Sequence, residues 1–171
     1  NLLGSAPAFC TSCPAEAPKS RALFALKSAP DYDPKMLTAA YVISLSLLVT
    51  DNAGHKAQKA IPQEGAEAIS SACARVRGTE PGSSAACAAV LVVQAFRESG
   101  YQLGAVGDGG KSHGPFQTRQ TPKTWAEAVT IYIPLLQYSA VTCVEPLALL
   151  ASGSCTNKAG IAISKARMAE A

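Results

Sequence analysis

The chain contains 171 residues, of which 48% are hydrophobic and 16% are charged, and it carries a formal net charge of +3 at pH 7. This length and composition predict one compact domain with a sizeable core, and they argue against a disordered chain. The weak positive charge, with no run of Lys and Arg, argues against a dedicated nucleic-acid binder.

The first thirty residues differ in character from the rest of the chain. Residues 1–30 are rich in Pro, Ala and Ser and show no sustained period. They predict an irregular N-terminal arm pinned by its cysteines. Residues 31–171 are predicted to form the single folded domain.

Two helices are predicted in the first half of the domain. Asp33 followed by Pro34 is a helix start, and the helix is expected to continue to about residue 54. Its apolar part, residues 36–49, is too short to span a bilayer and is interpreted as a buried face. The second helix is predicted over residues 62–78.

The centre of the chain predicts a long buried helix followed by a glycine-rich loop. After a turn over residues 79–84, residues 85–99 are apolar on nearly every side, which is typical of a central helix. Five of the eleven residues from Gly104 to Gly114 are glycine, so this stretch is predicted to form a loop or a short hairpin.

Three further helices are predicted in the C-terminal part. Thr124 and Glu127 have capping-box spacing and start the first of them, which Pro134 is expected to end or kink. The other two cover about residues 145–151 and 157–170. The predicted fold class is therefore mainly α, a single domain with a small glycine-rich loop or β-hairpin.

The six cysteines form an even set that predicts disulfides and an oxidising compartment. Cys73 and Cys87 are natural local partners, as are Cys143 and Cys155. The pairing of the remaining two, Cys10 and Cys13, stays open. Those two also have zinc-knuckle spacing, but no histidine or other cysteine completes a metal site, so we expect neither a metal nor a cofactor.

Residues 97–117, RESGYQLGAVGDGGKSHGPFQ, allow two opposed interpretations. The inner AVGDGGKS is close to a phosphate-binding loop, which needs a strand before it and a helix that begins at the Lys-Ser pair. Ala105 replaces the first glycine of that motif, and Gly114 with Pro115 would stop a helix within one turn. We therefore expect no nucleotide.

Glu98 is the only acidic residue between Glu80 and Asp108, and it ends the predicted buried helix. Apolar surroundings and the negative end of the helix dipole both predict a raised pKa for its carboxyl group, which suits a general acid. On position alone, a solvated helix-end glutamate paired with Arg97 or a Lys is the commoner case.

Three short motifs follow one another in this segment: Glu98-Ser99, then Gly107-Asp108, then Ser112-x-Gly114-x-x-Gln117. In this order and spacing, residues 98–117 resemble the superfamily of lytic transglycosylases and goose-type lysozymes, which cleave peptidoglycan. A weaker similarity lies in residues 147–155, where that family has a third motif. The resemblance implies a lysozyme-like, mainly helical fold with the hairpin beside an active-site cleft.

The resemblance also implies a role for each matching residue. Glu98 would protonate the glycosidic oxygen after N-acetylmuramic acid, and would then act as base on the muramyl 6-hydroxyl or on a water. Gln117 would line the sugar site, and the loop from Ser112 to Gly114 would present polar groups to the same sugars. Asp108 is either a second catalytic carboxylate, which inverting hydrolysis places about 6.5–9.5 Å from the first, or a turn residue.

The third motif departs from the family pattern. The family commonly has a tyrosine there that bonds the catalytic glutamate, followed by Asn in the transglycosylases, but Leu150 and Ala151 occupy those places. Glu98 then needs another orienting group. The candidates are three tyrosines: Tyr101, Tyr132 and Tyr138. Tyr101 is also a candidate sugar contact.

The sequence therefore predicts a secreted or periplasmic, disulfide-stabilised, monomeric glycosidase that cuts the MurNAc–GlcNAc β-1,4 bond of peptidoglycan strands. The chain begins with Asn1 and not with Met, as expected of a processed form. One alternative is a catalytically silent lysozyme-like module that binds cell-wall glycan or a protein partner, because the third-motif tyrosine is missing. Another is a structural disulfide protein with an accidental resemblance.

Overall fold

A computed structural model describes residues 37–52, 59–75 and 83–171, which form six helices and one two-stranded hairpin. In chain order the elements are α1 (Ala39–Asn52), α2 (Gln63–Cys73), α3 (Ser83–Ser99), β1 (Val106–Gly107), β2 (Ser112–His113), α4 (Trp125–Thr142), α5 (Ala148–Ser152) and α6 (Lys158–Glu170). The prediction of a mainly α fold with a small hairpin is confirmed. The predicted arm over residues 1–30, with Cys10 and Cys13, lies outside the described residues.

The core is built around α3. Residues 86–95 are buried on every side of this helix, which packs against α1, α2 and α6. Leu91, Val92 and Val93 have no solvent exposure. Each such side chain contributes about 1.5–3 kcal/mol relative to an exposed position. The prediction of a central buried helix is confirmed, although α3 begins at Ser83, two residues earlier than expected.

The start of α1 is set by Thr38. Leu37 and Thr38 are not helical, and the Thr38 hydroxyl accepts a hydrogen bond from the backbone N–H of Tyr41 at 3.3 Å. This is the contact that an N-cap side chain makes. The predicted start at residues 33–34 and the predicted end at residue 54 lie outside the described residues, but residues 37–38, which were expected to be helical, are not.

The helix α1, predicted from an apolar segment, also buries polar side chains in the core. α1 has 14 residues, and its Ser46 and Thr50 are fully buried. The Ser46 hydroxyl accepts a hydrogen bond from the backbone N–H of Ile61 at 3.0 Å, which ties α1 to the segment before α2. Among the described residues, no helix combines the length and the hydrophobicity that crossing a membrane requires.

The end of α2 differs from the prediction. The backbone N–H of Arg75 bonds to the carbonyl of Ala72, three residues back, at 3.1 Å. A bond of this reach tightens the last turn and stops the helix, so α2 ends at Cys73 and not at Gly78.

Two disulfides connect neighbouring helices. Cys73 bonds to Cys87 with 5.6 Å between Cα atoms, and Cys143 bonds to Cys155 with 5.1 Å. The first joins α2 to the start of α3, and the second joins the end of α4 to the segment between α5 and α6. Both predicted pairs are confirmed, and such bonds are typical of proteins from oxidising compartments.

α4 continues through a proline. The predicted cap is confirmed, because the Thr124 hydroxyl accepts a hydrogen bond from the N–H of Glu127 at 3.2 Å. Pro134 does not end the helix, which runs on to Thr142. Proline lacks the N–H that would bond to the carbonyl of Thr130, but both residues are exposed, where solvent can replace that bond.

Aromatic packing fixes the chain after the hairpin to α4. Phe116 stacks on Tyr132 with 4.5 Å between ring centroids and meets Trp125 edge-on at 6.3 Å. All three side chains are almost fully buried. The residue before Gln117 is therefore anchored in the core.

α5 and α6 pack against each other at the C-terminal end. α5 begins at Ala148, later than predicted, because residues 145–147 form a turn first. Asn157 caps α6, since its side-chain oxygen accepts hydrogen bonds from two backbone N–H groups of the first turn. α6 also contacts α3, and the candidate site lies at this contact.

Candidate active site

Glu98 lies where the buried helix α3 reaches the surface. Its side chain is 28% exposed, whereas Gln94, one turn earlier, is 1% exposed. The helix stops after Ser99 because Gly100 and Tyr101 both have left-handed backbone, with φ of 59° and 64°. The glutamate is thereby placed at the boundary between core and solvent.

Arg167 of α6 holds the carboxylate of Glu98. Its Nη1 atom donates hydrogen bonds to Oε1 of Glu98 and to Oε1 of Gln94, the second at 2.7 Å. Only 17% of the Arg167 side chain is exposed. This charge-assisted hydrogen bond holds the carboxylate in one orientation. The surroundings of Glu98 are therefore polar, unlike the apolar surroundings predicted from the sequence.

Gln94 contributes an acceptor and leaves a donor unused. Its Oε1 accepts from Arg167, while its buried Nε2 has no hydrogen-bond partner among the described residues. A guanidinium only donates, so it fixes which end of the amide faces it. An unpaired buried donor costs about 1–3 kcal/mol. The hydrogen bond that Gln94 makes to Arg167 is therefore present despite the free-energy cost of the unpaired Nε2 in the core.

Tyr132 lies close enough to Glu98 to respond to its charge. Burial raises the pKa of the Tyr132 hydroxyl, and the negative charge of Glu98 raises it further. The positive charge of Arg167 acts in the opposite direction. Tyr132 is therefore a buried tyrosine whose hydroxyl responds to the charges of both Glu98 and Arg167.

The other two tyrosines considered from the sequence are Tyr101 and Tyr138. Tyr101 is 2% exposed, its hydroxyl donates to the carbonyl of Ser46 at 3.4 Å, and burial raises its pKa. Its ring also packs against Phe96, with 5.5 Å between centroids. This placement favours packing over the predicted sugar contact. Tyr138 is 60% exposed on α4.

A second ion pair crosses the same contact between helices. Arg97 donates to both carboxylate oxygens of Glu170, from Nε at 2.9 Å and from Nη2. The hydrogen bond to Glu170 raises the pKa of the Arg97 guanidinium, and burial opposes this effect. Each helix thus provides one cation and one anion. We call these four residues the α3–α6 clasp: Arg97, Glu98, Arg167 and Glu170.

The glycine-rich segment forms the predicted hairpin. β1 pairs antiparallel with β2, with Gly107 opposite Ser112. Asp108 lies in the turn with φ of 50°, and its carboxylate accepts a hydrogen bond from the Ser112 hydroxyl. This placement matches the turn alternative for Asp108. The strand at Ser112 and His113 also stands where a phosphate-binding loop would begin its helix.

Gln117 packs against the hairpin. Its Nε2 donates to the carbonyl of Gly114 at 2.9 Å, and its Oε1 lies so near Gly107 that a Cβ there would be 2.1 Å away. Gly114 has φ of 74°, and a Cβ on it would be 2.5 Å from the Pro122 ring. The predicted loop residues are thus held by one another, whereas Glu98 is held by residues of α3 and α6.

Backbone strain is concentrated in this region. Among the described residues, only three non-glycine residues have positive φ: Tyr101, Asp108 and Gln117. Conformations of this kind cost of the order of 1–3 kcal/mol each and cluster at functional sites. All three fall in the segment from Glu98 to Gln117.

The third-motif position carries no hydroxyl group. Leu150 and Ala151 lie in α5, both half-buried, and Leu150 packs against the core. Arg167, which bonds Glu98 instead, and Gln94, which bonds Arg167, were not identified from the sequence. Arg167 is 69 positions from Glu98, so no local spacing links them. The one available signal was Gln94, the only amide or charged side chain between residues 85 and 96, because a buried amide needs a partner.

The described residues contain no group of three or more His, Cys, Asp or Glu side chains placed to bind a metal ion. Comparison with protein-family models, with curated proteins and with solved structures finds no match to this chain. Function therefore has to be inferred from the chemistry of the site.

Proposed function

We propose that the protein is a monomeric glycosidase that cleaves peptidoglycan, with Glu98 as its single acid and base. The observation that carries this proposal is the placement of Glu98. It is a partly exposed carboxylate at the end of a buried helix, oriented by a hydrogen-bonded partner and followed by a strained hairpin. A general acid needs such a fixed orientation at a position that substrate can reach. The resemblance of residues 98–117 supplies the substrate class.

The first step breaks the β-1,4 bond between N-acetylmuramic acid and N-acetylglucosamine. Protonated Glu98 donates its proton to the glycosidic oxygen while the muramyl C1–O bond breaks. The acetamido oxygen of the same muramyl residue forms a bond to C1. The leaving N-acetylglucosamine departs as a free alcohol, and Glu98 is left as a carboxylate.

The second step restores the enzyme. The Glu98 carboxylate takes a proton from the muramyl 6-hydroxyl or from a water, whose oxygen forms the new bond to C1 as the acetamido oxygen leaves. The first route gives a 1,6-anhydro sugar and the second gives hydrolysis. No second carboxylate is needed, and we assign Asp108 to the hairpin turn, where it accepts the hydrogen bond of Ser112.

Mass spectrometry of purified peptidoglycan after incubation with the protein tests this proposal. The wild type should release anhydro-muramyl or reducing-end fragments, and Glu98→Gln should lower the rate at least about 100-fold because the proton donor is gone. Glu170→Gln is the matched control, since it removes the other clasp carboxylate without touching the Glu98–Arg167 pair. Equal fragment release by wild type and Glu98→Gln would refute the role of Glu98.

We also propose that the protein acts outside the cytoplasm. The two disulfides support this location, because such bonds persist in oxidising compartments. Peptidoglycan strands are present in the same places, so the proposed location and substrate agree.

The second candidate is a silent module that binds cell-wall glycan. The absence of a hydroxyl at the third-motif position favours it, because Leu150 cannot orient Glu98 as the family tyrosine would. This candidate predicts that wild type and Glu98→Gln bind insoluble peptidoglycan equally and that neither releases fragments from acetylated or deacetylated material.

A further inference from the structure

We propose that Arg167, itself held by Gln94, is the positioning residue that orients Glu98 for proton transfer. This inference rests on the proposed function and names the group that takes the place of the third-motif tyrosine. That tyrosine would have stood at Leu150, which packs against the core and has no polar group to offer. The residue that does bond the glutamate comes from the next helix, α6.

The bonding pattern restricts the carboxylate more than an isolated ion pair would. One nitrogen, Nη1 of Arg167, donates to Glu98 and to Gln94, which lie one helical turn apart on α3. A planar guanidinium bonded to two points of one helix has little freedom to rotate. The Oε1 atom of Glu98 is therefore directed toward α6.

The burial of Gln94 indicates that this arrangement is not incidental. Among the described residues, Nε2 of Gln94 is a buried donor without a partner. An apolar side chain would fill the same position in α3 without this unpaired donor. The amide contributes only the bond to Arg167 among the described residues. Its benefit is thus the placement of Arg167, and through it of Glu98.

The second clasp pair shows that Arg167 is not required merely to attach α6. Arg97 and Glu170 join the same two helices, and Arg97 is more exposed than Arg167, at 37% against 17%. Arg97 therefore provides a matched control. Removing it perturbs the contact between α3 and α6 but leaves the bonds of Glu98 in place.

The test compares Arg167→Met, Gln94→Met and Arg97→Met in steady-state cleavage of soluble peptidoglycan strands. If Arg167 orients Glu98, Arg167→Met lowers kcat about 100-fold, the scale of a misplaced reacting group, with KM changed less than about twofold. Gln94→Met lowers kcat in the same direction by a smaller factor. Arg97→Met leaves kcat and KM within about twofold of the wild type.

Rescue by free guanidinium ion separates positioning from general damage to the fold. Millimolar guanidinium, below denaturing concentrations, should restore part of the kcat of Arg167→Met and none of the activity of Glu98→Gln. If Arg167→Met does not fold, Arg167→Lys replaces it, because lysine keeps the charge but has a shorter side chain and no planar guanidinium. Arg167→Lys should then show reduced kcat that guanidinium raises.

The outcomes distinguish the two proposals. A wild type that releases no fragments overturns the proposed function, and the catalytic role of Arg167 with it. An active wild type together with an Arg167→Met variant of unchanged kcat overturns the positioning role alone. A fully active Arg167→Lys that gains nothing from guanidinium does the same.

Discussion

Replacing Gly107 with alanine tests whether Gln117 packs against the hairpin as described. The new methyl group would stand 2.1 Å from Oε1 and 3.3 Å from Cδ of Gln117. Gly107 is not among the glycines with positive φ, so its backbone conformation accepts alanine without strain. The clash with the Gln117 side chain is therefore the effect that the substitution isolates.

The structure sets the size of the expected loss. The Gln117 amide has to turn away, which breaks its hydrogen bond to the Gly114 carbonyl and costs about 0.5–1.5 kcal/mol. Crowding of a packed position adds about 1 kcal/mol. The lower chain entropy of alanine in the unfolded state returns about 0.4–1 kcal/mol. The net loss of about 0.5–2 kcal/mol corresponds to a fall in Tm of about 1–8 °C.

Thermal unfolding followed by circular dichroism measures this loss. Gly104→Ala is the matched control, because no atom lies within 4 Å of a Cβ built there and its φ is not positive. Its Tm should equal or slightly exceed that of the wild type. In a Gln117→Ala background, Gly107→Ala should have no destabilising effect, since the clashing amide is gone. The same loss in both backgrounds would show that Gln117 is not the cause.

Two other predictions concern the disulfides and the buried tyrosines. Cys143→Ser should destabilise the protein by about 2–5 kcal/mol, and Cys155→Ser should add nothing to it in the double variant; an unchanged Tm would contradict this bond. Burial raises the pKa values of Tyr101 and Tyr132 above that of an unfolded tyrosine. Their contribution to stability is therefore complete below about pH 10 and falls above it by about 1.4 kcal/mol per pH unit for each tyrosine. Tyrosinate absorbance and circular dichroism should show these two groups ionising only as the protein unfolds, and ionisation of every tyrosine in a folded protein would exclude their burial.

The features predicted correctly depend on local patterns. α3 is recognisable because an apolar run of helical length leaves no polar face, and the two disulfides join cysteines only 14 and 12 residues apart. The hairpin follows from glycine density and the capped start of α4 from the spacing of Thr124 and Glu127. In each case the contact that determines the feature joins residues that are close together in the sequence.

The features predicted wrongly, or not at all, depend on tertiary contacts and burial that local sequence patterns do not specify. Pro134 was expected to end or kink α4, and it does not end the helix, which continues to Thr142 because Pro134 and Thr130 are exposed to solvent. The polar surroundings of Glu98 come from Arg167, which no local rule connects to α3. A helix-end glutamate beside an arginine suggested a pair with Arg97, yet Arg97 bonds to Glu170.

The hairpin residues and the residues around Glu98 differ in how far they help to distinguish an enzyme from a binding module. Asp108, Ser112, Gly114 and Gln117 are each explained by contacts that shape the hairpin. A binding module would need those contacts as much as an enzyme would, so their presence does not separate the two proposals. The hydrogen bonds around Glu98 are different. Gln94 bonds to Arg167 through its amide oxygen, although its buried amide N–H group then has no partner among the described residues. Hairpin stability and Glu98 orientation therefore depend on different residues, and variants of Gln94 and Arg167 test the proposed orientation of Glu98 without removing a hairpin contact.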